Sequence, residues 1–137
     1  MDRFKILIVE DDPRISKALG IRLRAAGYDI VAAADGAGGV AALTQHKPDL
    51  ILLDISMPAG GGFFVAENLM KRPALASTPI IFVTATKAPG VRERAEEFGP
   101  AAYIEKPFDS DDLLQTISTV LGQESPAQSL PVSAPGY

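Results

Sequence analysis

The chain has 137 residues, 47% of them hydrophobic and 22% charged, with 13 basic against 17 acidic side chains and a formal net charge of −4. That length suits one domain with one sizeable core, and the mild acidity gives no reason to expect nucleic-acid binding by this domain. There is no cysteine for disulfide or thiolate chemistry, the opening "MDRFKILIVEDD" turns acidic too soon for a signal peptide, and no apolar run approaches the ~20 residues of a membrane span, so a cytoplasmic protein is expected.

Strand-length apolar runs alternate with helical patterns. "KILIV" at 5–9 is nearly all apolar and reads as a strand buried on both faces. Asp12 then offers an N-cap and Pro13 a first helical residue. Ile15, Leu19 and Leu23 recur every four residues, and Gly27 stops the helix. A weaker strand is expected at 29–34 and a second helix at about 36–45, ended by Pro48. "LILLD" at 50–54 reads as a third strand. "SMPAGGG" is then a mobile-looking loop, followed by a short helix at about 62–70. A fourth strand is expected at 79–84. "PGVRERAEEFG" carries a fourth helix, with Val91, Ala95 and Phe98 on one side. Its charges Arg92, Glu93, Arg94, Glu96 and Glu97 read as a solvated face. A fifth strand follows at 101–107. The last helix starts from Asp109 and buries Leu113, Ile117, Val120 and Leu121. His46 sits in a polar connection and is expected to be exposed. The domain is bounded at 1–122. From 123 to 137 the Pro- and Ser-rich composition reads as a tail or the start of a linker.

Five strands alternating with five helices imply an α/β fold, a doubly wound parallel sheet with helices on both faces. Ligands in such sheets lie outside the carboxyl ends of the strands, where strand order reverses; one common order is 2-1-3-4-5. The strands end in Glu10-Asp11, Asp54, Thr84 and Lys106-Pro107, whereas the second ends in Ala33-Ala34. One edge thus gathers three carboxylates, a hydroxyl and an ammonium. Oxygen-only ligands favour a hard cation such as Mg²⁺, which would offset the repulsion among Glu10, Asp11 and Asp54. Lys106 and Thr84 supply the positive charge and the hydrogen-bond donor that a phosphoryl group needs. A carboxylate can itself take up that group, and Asp54 is the best placed to do so.

The motifs "ILIVEDDP", "LLDISMPAGGG", "IIFVTA" and "GPAAYIEKPF" closely resemble the receiver domain of bacterial two-component response regulators, over about residues 5–121. The run Asp54, Met57, Pro58, Gly62, taken with Thr84 and Lys106-Pro107-Phe108, carries the resemblance. It implies a flavodoxin-like fold of strand order 2-1-3-4-5 and a phosphoryl switch rather than an enzyme. Asp54 would take the phosphoryl group from a sensor histidine kinase or a histidine phosphotransfer protein. Asp11, Asp54 and the backbone carbonyl of Ser56 would bind Mg²⁺ directly, with Glu10 acting through a metal-bound water. Lys106 would contact a phosphoryl oxygen, and its bond to Pro107 would be cis. Thr84 and Tyr103 would form the switch, remodelling the face made by helix four, strand five and helix five. That face would act on a downstream protein target or an output domain outside this chain. Glu10 stands where Asp is more frequent, and Pro89-Gly90 stand where helix four usually begins, which bears on that helix's length.

Three other functions fit parts of the pattern. A Mg²⁺-dependent phosphohydrolase with an Asp nucleophile usually has a second Asp two residues on, where this chain has Ser56. A flavin binder would need a phosphate loop where Glu10-Asp11-Asp12 stand. An interaction module with a vestigial site is opposed by the complete residue set.

Overall fold

The computed structural model describes residues 3–57 and 61–123. Strands β1 (Lys5–Val9), β2 (Asp29–Ala33), β3 (Leu50–Asp54), β4 (Ile80–Thr84) and β5 (Ala102–Glu105) form one sheet, ordered β2-β1-β3-β4-β5. Every pairing is parallel. The helices are α1 (Pro13–Ala25), α2 (Gly36–His46), α3 (Gly61–Met70), α4 (Val91–Glu96) and α5 (Ser110–Val120). Strand order therefore reverses between β1 and β3, as the alternation of elements implied.

The described residues fall into two compact units, one ending at Pro107 and one beginning at Phe108. In the first, β3 and β4 are buried at every position, which explains their unbroken apolar sequence. Side chains alternate across the sheet. Leu7, Val9, Ile51, Leu53, Ile80 and Phe82 share one cluster with Leu43 of α2, Phe63, Val65 and Leu69 of α3, and Ala95 of α4. Leu19 and Leu23 of α1 are buried outside that cluster. The second unit holds α5, in which Leu113 and Ile117 are buried while Val120 and Leu121 are only partly so.

Local chemistry sets the helix boundaries. Asp12 caps α1 by accepting from Arg14 N at 2.9 Å, and Pro13 follows as its first residue. Gly27 takes φ 101° just beyond the end, a conformation glycine reaches without steric penalty. Asp35 caps α2 through Gly38 N, and Asp109 caps α5 through Asp111 N. The left-handed Lys47 ends α2, one residue before the proline expected to do so. His46 is the last residue of that helix and half-buried, and its carbonyl accepts from Lys5 Nζ. The exposed position expected for it is thereby corrected.

The sequence boundaries shift by a residue or two elsewhere. Strand β5 stops at Glu105, so Lys106 lies just beyond the ladder. Helix α4 has only 6 residues and starts from Gly90, which offers no side-chain cap. Phe98, expected on this helix, lies past its end, where it stacks with Phe63 and meets Phe82 edge-on. The solvated face expected here is present, with Arg92, Glu93, Arg94, Glu96 and Glu97 all exposed, and two of its arginines also cover aromatic rings. Arg92 lies over the Tyr103 ring, and Arg94 lies over the Phe63 ring while pairing with Glu67. Pro58, most of the loop that follows it, and the tail at 124–137 lie outside the described residues.

Gly61 and Gly62 belong to the first turn of α3. A Cβ on Gly62 would lie 2.5 Å from Asp54 O and 3.0 Å from Ile55 Cα. Those are backbone atoms of the strand end and cannot rotate away. Gly62→Ala should therefore cost about 1–3 kcal/mol through overpacking. The check is a lower urea midpoint with an unchanged slope.

Candidate functional site

Parallel register brings the strand ends together. Val9 pairs with Leu53, Asp54 with Val83 and Thr84 with Glu105. Glu10, Asp54, Thr84 and Lys106 therefore emerge on one edge, each at or just past the end of its strand. Glu10 and Asp54 are buried at 5% and 4% exposure, Thr84 is fully buried, and Asp11 is exposed.

The Lys106 ammonium joins two of these strand ends. Nζ lies 2.7 Å from Glu10 Oε1 and 3.3 Å from Asp54 Oδ2. The remaining oxygens are also engaged. Glu10 Oε2 accepts from Asp12 N at 3.1 Å. Asp54 Oδ1 accepts from Ser56 N at 2.9 Å and from Ser56 Oγ at 2.6 Å. Thr84 Oγ1 accepts from Thr86 N at 3.0 Å. The Lys106-Pro107 bond is cis.

Electrostatics follow from this packing. Burial pushes the Glu10 carboxyl above its usual range and the neighbouring Asp54 carboxylate adds to the rise, while Lys106 and the Asp12 amide oppose it. Burial alone would lower the Lys106 pKa, but Glu10 and Asp54 outweigh it and hold the ammonium above its ordinary value. One ammonium thus pairs with two carboxylates beside a third, Asp11, and negative charge remains in excess. Oxygens of Glu10, Asp11 and Asp54 lie within 4.8 Å of one another. That all-oxygen, anionic donor set could hold a divalent metal ion and suits a hard one.

Tyr103 lies on β5 opposite Phe82 and is half-buried, with the Arg92 guanidinium 4.8 Å from its ring centre. Burial raises its hydroxyl pKa, and Glu105 adds to the rise. Asp12 serves as the helix cap that its sequence position suggested. Sequence reasoning missed the direct Glu10–Lys106 pair, the Ser56 hydroxyl on Asp54 and the Arg92–Tyr103 contact. Ser56 carried a local signal, because a serine two residues past an aspartate can bond back to it. The other two join residues far apart in sequence and had none.

The family model of the response regulator receiver domain matches residues 6–118. The chain belongs to this family. Its receiver fold is 37% identical over 119 residues to the DNA-binding dual master transcriptional regulator RpaA of Synechocystis, covering 85% of this chain and 48% of that protein. Protein PilH of Pseudomonas aeruginosa is 36% identical over 117 residues, covering 85% of this chain and 97% of PilH. The chemotaxis protein CheY4 of Vibrio cholerae superposes with a TM-score of 0.80 at 28% identity, over 87% of this chain and 99% of that one. The chain spans about half the length of the first curated relatives it matches. As a receiver domain it belongs to two-component signalling, whose receivers work with histidine kinases and downstream effectors. No helix among the described residues is long and apolar enough to cross a membrane.

Removing the shared cation tests the electrostatics of this receiver edge. In metal-free buffer Lys106→Met leaves Glu10 and Asp54 buried without their partner. It should cost up to about 3 kcal/mol of folding stability, and Asp54→Asn in the same chain should recover part of that loss. Urea denaturation of the two variants checks both steps.

Proposed function

We propose that this receiver domain accepts one phosphoryl group on Asp54 from a phosphohistidine donor, a sensor histidine kinase or a histidine phosphotransfer protein. The carrying observation is a buried carboxylate at the carboxyl end of β3 with the Lys106 ammonium 3.3 Å from its Oδ2. An Asp54 oxygen attacks phosphorus, and the bond from phosphorus to the donor's imidazole nitrogen breaks. The bonding pair stays on that nitrogen. Attack does not require a general base, because the carboxylate is already the nucleophile.

Each neighbour takes a role suited to its position. Lys106 stabilises the charge on a phosphoryl oxygen. The Thr84 hydroxyl accepts from Thr86 N and has its own proton to donate to a second oxygen. Glu10, Asp11, Asp54 and the Ser56 backbone carbonyl would hold Mg²⁺. When bound, that ion supplies the positive charge that lets an anionic phosphoryl group approach an acidic edge. Ser56 N and Oγ fix Asp54 Oδ1, so the acceptor carboxylate is oriented before its donor arrives.

The response to phosphate passes through Thr84 and Tyr103 in this reading. Thr84 turns toward the phosphoryl group and the Tyr103 ring moves inward, altering the surface that α4 and β5 present to a downstream protein. We take 1–122 as the extent of the receiver domain.

Incubation with acetyl phosphate and Mg²⁺ should add the mass of one phosphoryl group to the intact chain. Asp54→Asn should abolish that addition, and chelating the metal should suppress it. Equal labelling of Asp54→Asn would sink the assignment, and sustained turnover of a phosphomonoester would instead support a phosphohydrolase.

A further inference from the structure

Glu10 makes the shorter contact with Lys106. Nζ lies 2.7 Å from its Oε1 but 3.3 Å from Asp54 Oδ2. The Glu10 carboxylate is also held from its other side, where Oε2 accepts from Asp12 N, and it is 5% exposed. It is a fixed, desolvated receptor for the ammonium, and its contact is the shorter of the two.

We propose that Glu10 is a positioning residue that competes for Lys106 through the shorter of its two carboxylate contacts and so limits the rate at which Asp54 gains a phosphoryl group. This rests on Asp54 being the acceptor, as argued above. To stabilise an incoming phosphoryl oxygen, the ammonium exchanges its hydrogen bond to Glu10 for one to that oxygen. No covalent bond is made or broken in that exchange. Charge-assisted hydrogen bonds between desolvated partners are the strong ones, so the exchange opposes the reaction. The length of the glutamate is central to the effect. An aspartate at position 10 keeps the charge but has one methylene fewer, which withdraws the carboxylate from Nζ and leaves the ammonium nearer Asp54.

The test uses the full chain with acetyl phosphate at saturating Mg²⁺, following the phosphorylated mass over time. Glu10→Asp should take up phosphate about fivefold faster than the parent, the effect of weakening one charge-assisted hydrogen bond. In a Lys106→Met chain the same Glu10→Asp change should bring no acceleration, since the group it acts through is gone. An equal or slower rate for Glu10→Asp alone overturns the proposal. So does an acceleration that persists with Lys106→Met, because Glu10 would then act through the metal.

A second readout needs no phosphorylation. In metal-free protein the NMR signal of the Lys106 ammonium should move in Glu10→Asp, and also in Glu10→Gln, which keeps the length and loses the charge. An unmoved signal in both variants overturns the proposal. If the parent chain takes up no phosphoryl group at all, the acceptor reading fails, and the ammonium signal still decides whether Glu10 holds Lys106.

Discussion

One lysine ammonium lies between two carboxylates at the end of a parallel sheet. Lys106 follows β5, Glu10 follows β1 and Asp54 ends β3, so the contact spans the sheet from its middle toward its edge. Its geometry depends on everything beneath it. The register of β1 with β3 and of β3 with β4 sets the level of each strand end, and a slip of one residue would turn these side chains to the other face. That register is secured by apolar side chains on both faces of β3 and β4, each fully buried aliphatic group contributing about 1.5–3 kcal/mol. The hydrophobic core thus positions the charges, and its burial together with the Lys106 ammonium offsets the excess of acid at the edge.

Much of this was legible in the sequence. The central strands announce themselves because two-sided burial demands continuous apolar runs, and "LILLD" has no other economical reading. The edge residues were legible because a parallel sheet sends every carboxyl end the same way, so listing the strand ends lists the side chains that gather there. Capping by Asp12 and Asp109 was readable from side-chain chemistry alone. Tertiary partnership was not. Sequence spacing says that Glu10 and Lys106 share an edge, but it does not say which carboxylate the ammonium prefers. That preference depends on side-chain length, and on the Asp12 amide that anchors Glu10 from behind.

Helix α4 shows the opposite limit. Its sequence is dense in paired charges, which normally mark a solvated face. Those charges are exposed, and two of the arginines also lie over aromatic rings, Arg92 over Tyr103 on β5 and Arg94 over Phe63 on α3. An arginine can cover a ring with its flat cation while its stem follows the surface, and no periodicity reveals that choice. With only 6 residues and no side-chain cap, α4 has little helical stability of its own. Its placement within the first unit comes from these ring contacts and from buried Ala95.

The turn from β1 into α1 joins two structural duties within the four residues from Glu10 to Pro13. The Asp12 amide holds Glu10 while the Asp12 side chain starts the helix, and Pro13 fixes the backbone direction. The charged edge and the first helix therefore meet at one residue, its amide serving the first and its side chain the second. Asp12→Pro, with neither a backbone N–H nor a carboxylate, would release Glu10 and uncap α1 in a single change.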